Sequence, residues 1–166
     1  MSSAGRTSTA ATKCTIIKAP EPLPSPLPQP SLFLSGSISP WRDHIISELS
    51  YLPITILNPL RPDWDSSWKE ELSSPEFVEQ VTWEITALES ADVVAIYFSK
   101  ETKAPITLLE LGFVVGRAKK IVVCCEVGYE KRGNVELLCQ ALGYKVVEAL
   151  EDLVEGLKVK LGEVTS

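Results

Sequence analysis

Glu110 lies in the run Leu108-Leu109-Glu110-Leu111-Gly112 and is followed by Phe113, Val114 and Val115, which leaves the segment little polar face. A carboxylate in such surroundings is partly buried. That costs stability unless a partner compensates it, and functional sites are where the cost is tolerated. The ordinary alternative is a glutamate that merely reaches solvent. Asp92 invites the same comparison, because it precedes the apolar run Val93-Val94-Ala95-Ile96-Tyr97-Phe98, where an edge or turn aspartate is common. At Ser35-Gly36-Ser37, small residues let a ligand approach the backbone, with amides aimed outward as an anion cradle. A plain tight turn fits the same residues. Elsewhere the chain offers less. His44 is the only imidazole and sits in an amphipathic stretch, as a surface or packing residue would. Cys14, Cys124, Cys125 and Cys139 show no CxxC spacing and read as free thiols of a reduced, cytoplasmic compartment. They supply no metal ligand set, and no cofactor is expected.

Residues so far apart in sequence meet only if the fold gathers them. A chain of 166 residues, 45% hydrophobic and 23% charged, is one compact domain with a tail. Residues 1–30 form that tail. Ser, Thr and Ala take nine of its first twelve positions, and Pro occupies every even position from 20 to 30. Such a segment buries little apolar surface and is expected to be disordered, then polyproline-like, serving as a linker or a PxxP ligand. Within it, the run Cys14-Thr15-Ile16-Ile17-Lys18-Ala19 can lie along the body as an extended arm.

The body, residues 31–166, alternates. Apolar runs at 32–36, 54–58, 92–98, 121–125 and 145–147 read as five strands. Helical patterns at 41–52, 105–118, 135–142 and 150–161 separate them, with a further helix in which Phe77, Val81, Ile85 and Leu88 form the apolar stripe. That helix starts at Ser74 with Pro75 at the first helical position, or at a competing capping box of Ser73 and Glu76. The alternation specifies an α/β domain, a flavodoxin/Rossmann-like three-layer sandwich with a five-stranded parallel sheet in the order 2-1-3-4-5. Ligands bind such sheets at the carboxyl ends of the strands, at the switch point between strands one and three. There the Ser35–Ser37 turn meets the loop 99–107, which leads into the helix carrying Glu110.

A formal charge of −6 argues against nucleic-acid or anionic-membrane partners, which need a basic footprint. Small anions remain compatible, because one Arg or a helix terminus holds a phosphate against the global charge. No apolar run approaches the roughly 18 residues of a membrane span, and the amino terminus lacks the apolar stretch of a secretory signal.

Five segments, in order, resemble the nucleoside 2-deoxyribosyltransferase-like proteins. They are Phe33-Leu34-Ser35-Gly36-Ser37-Ile38, then Asn58-Pro59 with Arg61-Pro62-Asp63, then Gln80-Val81-Thr82-Trp83-Glu84, the strand start Ala91-Asp92-Val93-Val94, and Pro105-Ile106-Thr107-Leu108-Leu109-Glu110-Leu111-Gly112. The resemblance runs from about Ile16 to the end of the fourth strand and is closest to a divergent branch. It implies a mechanism like that of retaining glycosidases, with Glu110 attacking the anomeric carbon of a deoxynucleoside. Asp92 then orients sugar and nucleophile. Ser35, Gly36, Ser37, Asn58, Arg61, Asp63, Trp83 and Thr107 become candidate substrate contacts. One departure matters: the classical enzymes carry an Asp six residues before the nucleophile to help protonate the leaving base, and this chain has Ala104 there. Asp63 or Glu84 would have to supply that proton, or the activity differs from base exchange.

The leading reading is cleavage or exchange of the N-glycosidic bond of a (deoxy)nucleoside or its 5′-monophosphate. Arg61 can bind the phosphate or sit in a loop salt bridge. Trp64, Trp68 and Trp83 can stack on a base or pack. The other readings are a nucleotide-binding or sensing module that kept the fold without the chemistry, and a purely structural role. The resemblance also implies a homodimer or higher homo-oligomer, and the nearly all-apolar helix from Pro105 suits one.

Overall fold

In the computed structural model, residues 10–165 are described. Six parallel strands form one sheet in the order β1-β3-β2-β4-β5-β6. They are β1 (Thr15–Lys18), β2 (Ser31–Gly36), β3 (Thr55–Asn58), β4 (Val93–Phe98), β5 (Lys120–Cys125) and β6 (Val146–Val147). Five helices cover it: α1 (Trp41–Leu49), α2 (Pro75–Ser90), α3 (Pro105–Gly116), α4 (Arg132–Ala141) and α5 (Leu150–Gly162). The layers match the expected three-layer class, and the five anticipated strands keep their order. The correction is a sixth strand. β1 pairs with β3 in parallel from Thr15↔Thr55 to Lys18↔Asn58 and lies at the sheet edge. Its β-branched Thr-Ile-Ile run is a strand former, and the neighbouring prolines hide it in a composition-based reading.

The body therefore does not begin at Ser31. The proline-rich connection from β1 to β2 replaces the usual crossover helix. Ala19 and Leu27 enter the core beneath it, and the Glu21 carbonyl accepts a hydrogen bond from Trp83 Nε1 at 2.7 Å. Residues 1–9, expected to be disordered, lie outside the described residues. Removing residues 1–19 takes away β1 with its buried Ile17 and bares the edge of β3, a loss of about 2 kcal/mol or more. The melting temperature is expected to fall by roughly 5 °C or more, while removal of residues 1–9 alone shifts it little. Equal melting of the two truncated chains would contradict this.

Alternation along the strands fills both faces. Phe33, Leu57, Val94, Ile96 and Phe98 face α2, α3 and α4, whereas Leu32, Leu34, Ile56 and Ala95 face α1 and α5. α2 differs in rotation from the expected stripe. Its buried residues are Gln80, Trp83, Ala87 and Leu88, while Ile85 is half exposed. Two polar residues one turn apart, Gln80 and Glu84, thus lie on or beside the inward face, near the carboxyl edge of the sheet. Neither Ser74 nor Ser73 makes a side-chain cap; the Ser73 hydroxyl bonds Glu71 instead.

Candidate active site

β2 pairs with β3 only as far as Phe33↔Leu57 but with β4 as far as Gly36↔Tyr97. The ends of β2 and β3 separate there, and the helices that follow β2 and β4 leave to opposite faces, α1 to one and α3 to the other. This is the switch-point crevice. Gly36 is required at its floor, because a Cβ would lie 2.6 Å from the Tyr97 carbonyl oxygen and 2.8 Å from the Trp41 ring. The Ser37 hydroxyl ties the two loops together. It accepts the Ser99 amide at 2.9 Å and the Thr102 hydroxyl at 2.6 Å.

α3 presents Thr107, Leu111 and Val114 to the core at helical spacing, and Glu110 stands beside them. Its Oε2 accepts the hydroxyl of Ser35 at 2.6 Å. Burial pushes the Glu110 carboxyl up to about 7, and the negative field of Glu84 adds to that, while the Ser35 bond and Arg42 oppose it. Glu84 accepts a hydrogen bond from Gln80 Nε2 at 2.7 Å and is likewise raised by burial. Gln80 is fixed in turn by donating to the Pro59 carbonyl. The negative field of Glu84 thus bears on Glu110, and the positive field of Arg42 lowers both carboxyls.

A depression of about 250 Å³ opens at the amino end of α3, lined by Gly36, Ser37, Ile38, Thr102, Ala104 and Thr107, among others. Ala104 caps α3 in the left-handed region, at φ 44°. An L-residue with a Cβ is strained there, by on the order of 1–3 kcal/mol, and such strain is typical of functional loops.

The other candidates are placed differently. Asp92 is at the amino end of β4, the opposite edge of the sheet. It accepts the Ser31 amide and hydroxyl at 2.8 and 2.7 Å and the Gln29 side chain at 2.9 Å, clasping the starts of β2 and β4. Four strand residues, roughly 13 Å, separate it from the level of Ser35 and Glu110. Arg61 is buried and bound by both oxygens of Asp63 and by Glu79, with its guanidinium over Trp68. It and Asp63 therefore form the loop salt bridge. Asn58 accepts the Leu60 amide and shapes the turn after β3. Trp83 packs in the core, and Trp64 and Trp68 pack edge to face on each other. Ser35, Gly36, Ser37, Thr107 and Glu110 are the residues the fold gathers, together with Arg42, which sequence reasoning missed and which binds the carbonyls of Leu34, Gly36 and Ser37.

Parallel α/β sheets bind small molecules at the carboxyl ends of their strands, at the switch point, and Ser35 and Glu110 meet at that edge here. The family model of nucleoside 2-deoxyribosyltransferase-like proteins matches residues 29–129, and the chain belongs to that family. A crystal structure of a conserved protein from Enterococcus faecalis V583 shares the fold, with a TM-score of 0.55 at 14% identity, covering 79% of this chain and 98% of that one. No curated protein matches the chain in sequence. Among the described residues no helix is long and apolar enough to cross a membrane.

Proposed function

We propose that this protein cleaves or exchanges the N-glycosidic bond of a (deoxy)nucleoside or its 5′-monophosphate through a covalent glycosyl-enzyme on Glu110. The observation that supports it is the desolvated carboxyl pair: Glu110 hydrogen-bonded to Ser35, Glu84 held by Gln80. A Glu110 oxygen attacks the anomeric carbon, the bond to the base nitrogen breaks, and the base leaves with a proton from Glu84. Water, deprotonated by the Glu84 carboxylate, or a second base then attacks the same carbon and restores Glu110. Of the two candidate acids, Asp63 is unsuited. It is exposed, and its bond to Arg61 holds it below the usual carboxylate range, ionised throughout. Glu84, buried and raised above the usual carboxylate range, is the better proton donor of the two. Arg61, already neutralised by two carboxylates, is a poor phosphate ligand. A 5′-phosphate fits better at the depression where α3 begins, beside the hydroxyl-bearing Ser37, Thr102 and Thr107.

The absence of an Asp at Ala104 favours a second reading, a nucleotide-binding or sensing module. Incubation with a panel of nucleosides and 5′-monophosphates, with and without a free acceptor base, separates these. Base release without acceptor is hydrolysis, and release only with acceptor is transfer. Ligand binding with no release would reject the enzymatic reading.

Self-association belongs to the same proposal. Ile106 and Leu109 are exposed on α3 beside Gly112 and Gly116, an apolar strip suited to a second copy. Sedimentation at micromolar concentration is expected to give a dimer or larger species; a monomer alone would reject it. The four free cysteines suit a reducing, cytoplasmic setting.

A further inference from the structure

Arg42, the second residue of α1, is 3% exposed. Its donors all go to backbone. Nε reaches the carbonyl of Leu34 at 3.1 Å, Nη1 that of Ser37 at 3.0 Å and Nη2 that of Gly36 at 2.8 Å. Trp41 Nε1 shares the Ser37 carbonyl, and the guanidinium lies 4.9 Å from the Trp41 ring. Among the described residues no carboxylate is within ion-pair distance of it. A guanidinium buried without a contact counter-ion is costly, and three carbonyl dipoles compensate only part of its charge. Glu110 is tied to the same strand end, because Ser35, between the bound carbonyls of Leu34 and Gly36, donates to it, and the negative fields of Glu110 and Glu84 favour the Arg42 cation. Burial nevertheless lowers Arg42 to about 10, so it remains a cation at neutral pH.

We propose that Arg42 is the positioning residue of this site: its fork of donors fixes the strand end that carries Ser35, and its single buried charge holds the Glu84–Glu110 pair at one carboxylate and one carboxylic acid. The inference rests on the reading of these two groups as acid and nucleophile and deepens it. One cation facing two carboxyls is neutral when the pair keeps one proton, which is the state the first chemical step needs. With two protons there is no nucleophile, and with none there is no acid. The fork does the complementary task. By turning the carbonyls of Leu34, Gly36 and Ser37 toward α1, it leaves the Ser35 hydroxyl to point at Glu110. A lysine supplies the charge without the planar fork, so the two contributions can be separated.

The test is a carboxyl ¹³C NMR titration of the full chain and of Arg42→Gln and Arg42→Lys. The charged groups that bear on Glu110 are Glu84 and Arg42, with the Ser35 hydroxyl from β2; Glu84 is faced by Arg42 and Gln80. In the wild-type protein the pair is expected to titrate in two well-separated steps, one of them near neutrality. In Arg42→Gln the upper midpoint should rise by about one unit or more, because the opposing cation is gone. Arg42→Lys should restore most of that shift. It should nonetheless leave the Ser37 and Ser99 amides exchanging faster with solvent, because the fork is lost. Two wild-type midpoints below about pH 5 would overturn the proposal without any variant. So would a folded Arg42→Gln whose midpoints match the wild type. If the titrations behave as expected and no substrate in the panel is turned over, the assignment of Arg42 stands and the proposed activity falls.

Discussion

Glu110→Gln is expected to lower base release by about 10³-fold or more, roughly 4 kcal/mol of transition-state stabilisation, while the fold and ligand binding persist. The substitution keeps the shape and the bond from Ser35 but removes the attacking carboxylate. A second consequence concerns stability. The folded state holds the Glu110 proton more tightly than the unfolded chain does, because burial raises the carboxyl from 4.5 to about 7. The stability linked to that proton is fully present below about pH 4.5 and is lost as pH rises through 7. At pH 8 the wild-type protein therefore carries a cost of about 3 kcal/mol that the glutamine variant lacks. The variant should melt on the order of 5–10 °C higher at pH 8 and at a similar temperature at pH 4.5. Equal melting at both pH values would show that Glu110 is not desolvated.

Glu84→Gln should cost about 10²–10⁴-fold in turnover of substrates whose base must be protonated to leave. It should cost little with a substrate whose leaving group departs as a stable anion, such as a nitrophenyl deoxyriboside. The wild-type rate should fall on the acid side as Glu110, whose carboxyl is raised toward 7, takes up a proton. An equal loss on both substrate types would assign Glu84 to structure alone.

Much of the fold was legible because it rests on patterning. β4 and β5 read as uninterrupted apolar runs since both their faces are covered, and α3 follows Pro105 directly. β1 was legible only as an extended arm and not as a member of the sheet, because its short Thr-Ile-Ile signal stands beside prolines that compose a linker everywhere else. The site was half legible. Glu110 announced itself as a charge among leucines. Glu84 was named only as one of two candidate proton donors, because the aliphatic stripe of α2 pointed toward Ile85 although packing turned Trp83 and Gln80 inward. Asp92 gained weight from its motif, yet the topology argues otherwise, since a residue preceding a strand lies at the amino edge of a parallel sheet and ligands bind at the carboxyl edge. Arg42 left no signal at all, because its partners are backbone carbonyls, which carry no sequence.

The covalent intermediate can be sought directly. A 2-deoxy-2-fluoro-arabinosyl nucleoside destabilises the oxocarbenium-like transition state for breakdown of the glycosyl-enzyme, so the adduct accumulates. Intact mass spectrometry of the wild-type protein should show one fluorosugar added per chain, and peptide mapping should place it on Glu110. Glu110→Gln should remain unmodified. An adduct on any other residue, or none in a preparation that releases base from the corresponding deoxynucleoside, would contradict nucleophilic catalysis by Glu110.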